Sequence, residues 1–169
     1  DPLFFGKHED IIQQTKKNYS ISLIIVGIIL IIGLTHLSYY VFRTSDRSNL
    51  YFGALCLVMI LRNITTNERL LTFWFPDFDW TLLVKLDNFS GFGTIPFFAL
   101  FFYSLFREEF SKRFLQLFVA IGILISLLIF TTPVTFFNKF QMFFQVYLLF
   151  GGLYLMFSVL TRATIRRRD

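Results

Sequence analysis

The chain has 169 residues, of which 55% are hydrophobic, 20% aromatic and only 16% charged, with a mean hydropathy of +0.62. This balance excludes an ordinary soluble domain, because 25 phenylalanines exceed what a soluble core of this size can hold, whereas a bilayer accepts exposed Phe. The net charge of +5 does not point to nucleic acid, because the basic residues form short clusters between apolar runs, where topology signals stand.

The first segment, residues 1–18, is polar and charged and is expected to be an extracellular juxtamembrane lead-in. It starts without Met and lacks the apolar stretch of a signal peptide, so the chain is expected to be a piece of a longer protein. Residues 19–169 are expected to form one transmembrane helical domain. Its spans fall at about 20–42, 49–73, 81–106, 114–131 and 139–162, each near or above the roughly 20 residues that cross a bilayer as a helix. Strands would alternate polar with apolar, and these runs do not. The predicted fold is an all-α membrane protein, an antiparallel transmembrane helix bundle with five spans in this chain.

The connectors carry turn chemistry. Ser48 or Asn49 is placed to cap the second helix and Ser111 the fourth. Pro76-Asp77 breaks the second and third spans, and Pro133 follows the fourth. Arg43, Arg47, Arg107, Lys112, Arg113 and Arg162 to Arg168 collect on one side. Lys7, Lys16, Lys17, Arg69 and Lys139 fall on the other, with Asp77 and Asp79. The richer side is expected in the cytoplasm, with the N-terminus outside and the C-terminus inside.

Catalytic signatures are missing: there is no HExxH, GxSxG, P-loop or Gly-rich dinucleotide turn. No enzyme activity, catalytic residue, cofactor or metal site is expected of this chain. Cys56 is the only cysteine and sits in an apolar run, so neither an intrachain disulfide nor a CxxC site can form. His36 is read chiefly as a hydrogen-bonding residue of the bundle, with a ligand or proton role as the alternative.

Arg62, Lys85 and Asp87 are the informative residues, because an ionisable group at mid-helix costs about 2.5–3.5 kcal/mol and should find a partner. With a turn near Phe75, Arg62 stands level with Asp87 or Asn88, and Glu68 level with Lys85. Two cross-helix ion pairs are therefore expected, either fixing the hairpin register or forming a ligand or switch site. Gly91, Gly93 and Pro96 predict a kink in the third span, static or working as a hinge. The aromatic stretch Phe73 to Trp80 reads as an interfacial anchor, and Gly151-Gly152 as a point of close helix approach.

Several stretches together resemble a known family. They are Gly33-Leu34-Thr35-His36-Leu37 and Asp46-Arg47-Ser48-Asn49-Leu50-Tyr51-Phe52-Gly53, then Leu61-Arg62, Asn67-Glu68-Arg69-Leu70-Leu71, Phe75-Pro76 and Trp80. Lys85-Leu86-Asp87, Pro96, Ser104-Leu105-Phe106 and Glu109-Phe110-Ser111-Lys112-Arg113 follow, and Phe4-Phe5-Gly6 with Ile11-Ile12 looks like the family's lead-in. In order and spacing these resemble the bacterial seven-transmembrane receptors with diverse intracellular signalling modules.

The resemblance implies helices one to five of seven, between an extracellular domain (often a jelly roll) and a cytoplasmic output such as a diguanylate cyclase, histidine kinase, nucleotide cyclase or phosphatase. It carries over no ligand-binding residue. The expected function is the transmembrane portion of a signalling receptor. The expected partners are the lipid bilayer, an extracellular sensor domain and a cytoplasmic signalling module; a homodimer fits, and nucleic acid does not. The rival readings are a small-molecule transporter or channel subunit, and a structural membrane anchor.

Overall fold

A computed structural model describes residues 8–66, 70–107 and 111–165. Every described element is an α-helix: α1 (His8–Phe42), α2 (Arg47–Thr66), α3 (Leu70–Trp74), α4 (Trp80–Leu105), α5 (Lys112–Thr131), α6 (Val134–Asn138) and α7 (Gln141–Ile165). Three stretches are long and apolar enough to cross a membrane, Gln13–Phe42, Arg47–Thr66 and Lys112–Thr131. α1 begins at His8, within the expected lead-in, and α2 stops at Thr66, with the separate helix α3 carrying the chain on to Trp74.

The helix starts follow from capping. Asp46 accepts the Ser48 amide at 3.1 Å, so Asp46, rather than Ser48 or Asn49, opens α2. Asp79 accepts the Leu82 amide at 2.9 Å to open α4, and Ser111 accepts from Phe114 to open α5, as its position predicts. α5 ends where Thr132 takes an extended conformation ahead of Pro133.

The α1–α2 and α2–α4 pairs make the most extensive contacts, and α4 also packs on α5 and α7. α4 is therefore the central helix. Glycines set the closest crossings. A Cβ at Gly53 would stand 2.6 Å from Leu37 Cγ and 3.3 Å from the Gly33 carbonyl oxygen, so α1 and α2 meet almost backbone to backbone. Gly151 is buried with the Phe118 ring where a side chain would stand, whereas Gly152 faces open space; one glycine of the pair makes the close approach.

The packed centre joins Phe92, Ile125, Ile129, Phe137 and Phe144, and continues through Ala99, Leu115 and Phe118. The short α6 turns Phe137 inward to 1% exposure, while Phe136, Phe140 and Phe143 stay outward. α1 leaves Ile24, Ile28, Ile31 and Leu34 exposed, as a helix facing lipid does. Trp74, Phe75 and Trp80 are exposed together at one end of the α2–α4 hairpin.

Candidate functional site

The seam between α2 and α4 gathers most of the polar side chains that the sequence singles out. Phe52 lies against Phe101, a Cβ at Gly93 would meet Val58 Cγ1 at 3.8 Å, and Thr65 reaches Asp87. These pairs centre the hairpin on Pro76 rather than Phe75. The reason is α3, which carries the incoming arm through Trp74, so that the turn falls on the residues after it; there the Phe78 amide closes onto the Phe75 carbonyl at 3.0 Å.

The shift in register changes the partners. Asp87 accepts from Thr66 Oγ1 and lies 3.4 Å from Thr65 Oγ1, whose hydroxyl is closer to the Leu61 carbonyl of its own helix, at 3.0 Å. Arg62 lies one turn further along α4, with its Nη1 2.5 Å from the place of a Cβ at Gly91. The expected Arg62–Asp87 ion pair is absent among the described residues, and Asn88 does not bridge it, since its Nδ2 donates to the Val84 carbonyl at 2.8 Å. Arg62 is exposed rather than turned into the bundle. Gly91 leaves the space that its guanidinium crosses.

Lys85 points the other way, from α4 to α5, and its Nζ donates to the Phe130 carbonyl at 2.9 Å. That carbonyl belongs to the last turn of α5, where carbonyls lack an intrahelical partner and the helix end favours a cation. Glu68, the expected partner of Lys85, lies outside the described residues.

Further along the seam, α4 satisfies its polar residues internally. Ser90, fully buried, donates to the Asp87 carbonyl at 2.8 Å, and Thr94 donates to the Ser90 carbonyl at 2.7 Å. α4 then runs as one helix through Gly91, Gly93 and Pro96. Pro96 withholds a donor from the Phe92 carbonyl. Its ring packs on α5, where a Cβ at Gly122 would come within 2.8 Å of Pro96 Cγ and 3.0 Å of the Tyr147 hydroxyl oxygen. Tyr147 donates to the Phe118 carbonyl at 2.8 Å, joining α7 to the same point.

His36 lies on α1 and meets the start of α2. Its Nδ1 lies 2.7 Å from Asn49 Oδ1, and Asn49 Nδ2 donates to Asp46 Oδ2 at 3.0 Å. An ionised carboxylate only accepts, so the Asn49 amide nitrogen must face Asp46. Its oxygen therefore faces His36, and Nδ1 must carry the proton of that bond. The Ser48 hydroxyl and amide hold the Asp46 carboxyl below the usual carboxylate range, helped by Arg43. The His36 ring also sits edge-on to Phe52, with centroids 4.5 Å apart.

Asn49, Thr65, Thr66, Gly122 and Tyr147 were not foreseen as site residues. The first three are small polar side chains, which sequence reading assigns to helix caps or to their own backbone. Among the described residues, no buried side-chain nitrogen or oxygen lacks a hydrogen-bond partner. The seam is thus a set of closed polar contacts, able to hold one helix arrangement against another.

No curated protein and no solved structure is significantly similar to this chain. The family described as 7TM diverse intracellular signalling matches residues 18–169, nearly the whole chain, in agreement with the motifs quoted above. The chain, a multi-pass membrane domain, belongs to that 7TM diverse intracellular signalling family.

Proposed function

We propose that this bundle is the transmembrane relay of a bacterial signalling receptor, passing an extracellular signal to a cytoplasmic output module. In this reading α4 and α7 also cross the membrane, giving five spans with α1, α2 and α5. The end with Arg43, Arg47, Arg107 and Arg113 faces the cytoplasm of the inner membrane. The bundle catalyses nothing itself. Its partners are the bilayer, a sensor domain outside and the output module inside.

The observation that carries the proposal is the position of α4. It touches α2, α5 and α7, and its polar contacts reach two different helices, Asp87 towards α2 and Lys85 towards α5. A shift of α4 must exchange these contacts together, which gives two discrete arrangements for an external ligand to bias. Pro96 against Gly122 is the hinge point in this reading, with Gly91 and Gly93 beside it.

The test is a disulfide across the seam in the full-length receptor. Val58→Cys with Gly93→Cys, in a Cys56→Ala background, places two thiols close to bonding range. Oxidation should hold the output activity at one level whatever the stimulus, and reduction should restore the response. A full response with the crosslink formed rejects movement along the α2–α4 seam.

A further inference from the structure

At the Arg43 end, the α1–α2 turn, the first turns of α2 and the end of α4 enclose an open cavity of about 420 Å3. Arg47 and Arg107 line it, with Tyr51, Tyr103, Ser45 and Asp46. The hydrogen-bonding capacity of this lining divides into two parts. One part is spent. Asp46 accepts from the Ser48 amide, the Ser48 hydroxyl at 2.5 Å and Asn49 Nδ2, and Ser104, also at the wall, donates to the Phe101 carbonyl at 2.6 Å. The other part is free. Among the described residues, the guanidinium groups of Arg47 and Arg107 and the hydroxyls of Tyr51, Tyr103 and Ser45 have no hydrogen-bond or ion-pair partner.

The unused groups are two cations and three hydroxyls, and among the described residues the only carboxylate of the lining is turned to the start of α2. A complementary ligand must therefore bring negative charge and several acceptor oxygens to one point. A phosphate group does so: its oxygens take the planar fork of one arginine in pairs and leave others for a second arginine and for hydroxyls. The cavity also lies at the ends of the hairpin helices, level with the headgroup layer if these helices span the bilayer.

We infer that this cavity binds the phosphate group of an anionic ligand, held by Arg47 and Arg107 and oriented by the Tyr51 and Tyr103 hydroxyls. The phosphate belongs to a phospholipid headgroup or to a soluble phosphorylated molecule. The site stands on its own lining, whether or not the bundle relays a signal.

The test uses the intact protein in nanodiscs, with two arms. In the first, phosphatidylglycerol is added to phosphatidylcholine discs and its retention is read by native mass spectrometry. In the second, glycerol 3-phosphate and inorganic phosphate are titrated calorimetrically into discs of phosphatidylcholine alone. Binding in the first arm alone identifies the lipid source, and binding in the second the soluble one. In either arm, Arg47→Gln with Arg107→Gln should weaken binding about tenfold or more, since charge-assisted bonds are lost. Tyr103→Phe, which removes only a hydroxyl, should weaken it less. Arg113→Gln removes a charge outside the lining and should leave it unchanged. No binding in either arm overturns the site. So does an equal loss in Arg113→Gln, which would mean attraction to the basic surface as a whole.

Discussion

The ring of Pro96 occupies the space that a side chain at Gly122 would need, with Pro96 Cγ 2.8 Å from the place of its Cβ. Proline carbons are tied to the backbone and cannot swing aside. Gly122→Ala should therefore push α4 from α5 and cost about 1–3 kcal/mol, as overpacking does. Gly27→Ala adds a methyl to open space and should be neutral or slightly stabilising, since Ala favours helix over Gly. Unfolding in mixed detergent micelles compares the two. Equal stability of both variants would mean that the Pro96–Gly122 contact does not hold the helices.

Asp87 is held by hydroxyls rather than by Arg62, and this predicts an unusual mutational pattern. Asp87→Ala removes the acceptor of the Thr66 hydroxyl, while Thr65 keeps the Leu61 carbonyl, and should cost about 1 kcal/mol. Asp87→Asn keeps an acceptor and should keep most of the stability. The exchange Arg62→Asp with Asp87→Arg should rescue nothing relative to the single variants. Recovery of folded yield by the exchange would show that the two charges interact after all.

The cap at the start of α2 has a pH dependence of known sign. The Asp46 carboxyl is held below its ordinary value of 3.8, so the capped, ionised form persists into acid. Its contribution is complete above the ordinary carboxylate range and disappears as pH falls through the lowered value. Asp46→Asn should flatten that acid limb by lowering stability at neutral pH, while leaving stability in acid nearly unchanged. An unchanged acid limb, measured by thermal unfolding at stepped pH, would remove Asp46 from the account.

Orientation is checked by labelling single cysteines in a Cys56→Ala background. Probes at Asp77 and Thr135 should react with an impermeant reagent added from outside, and probes at Asp46 and Glu109 should not. Reaction at Asp46 would invert the bundle.

The helix content and the Ser111 cap were legible in the sequence, because apolar length and cap chemistry act locally. The register of the α2–α4 hairpin was not. It depends on where a short helix such as α3 ends, and moving the turn from Phe75 to Pro76 carries the level of Arg62 two residues along α4, away from Asp87 and towards Gly91. Partners that come from backbone, such as the Phe130 carbonyl for Lys85, leave no mark in a sequence either. His36 was legible as a bundle hydrogen-bonder, while its partner Asn49 looked like a helix cap.

The crossing of α1 and α2 at Gly33 and Gly53 has a mechanical consequence. α1 finds its extensive packing on α2, and α2 finds its own on α4. Force applied to α1 therefore reaches α5 and α7 in series, each stage loaded through the one before it. A close crossing of this kind has little compliance, because the Gly33 carbonyl oxygen stands 3.3 Å from the place of a Gly53 Cβ and only the Leu37 side chain lies beside it to absorb a displacement. The first coupling is thus stiff, and so is the α4–α5 stage at Pro96, whose ring is tied to its own backbone; lost motion in the train should accumulate at α7, where the Tyr147 ring and hydroxyl carry the load.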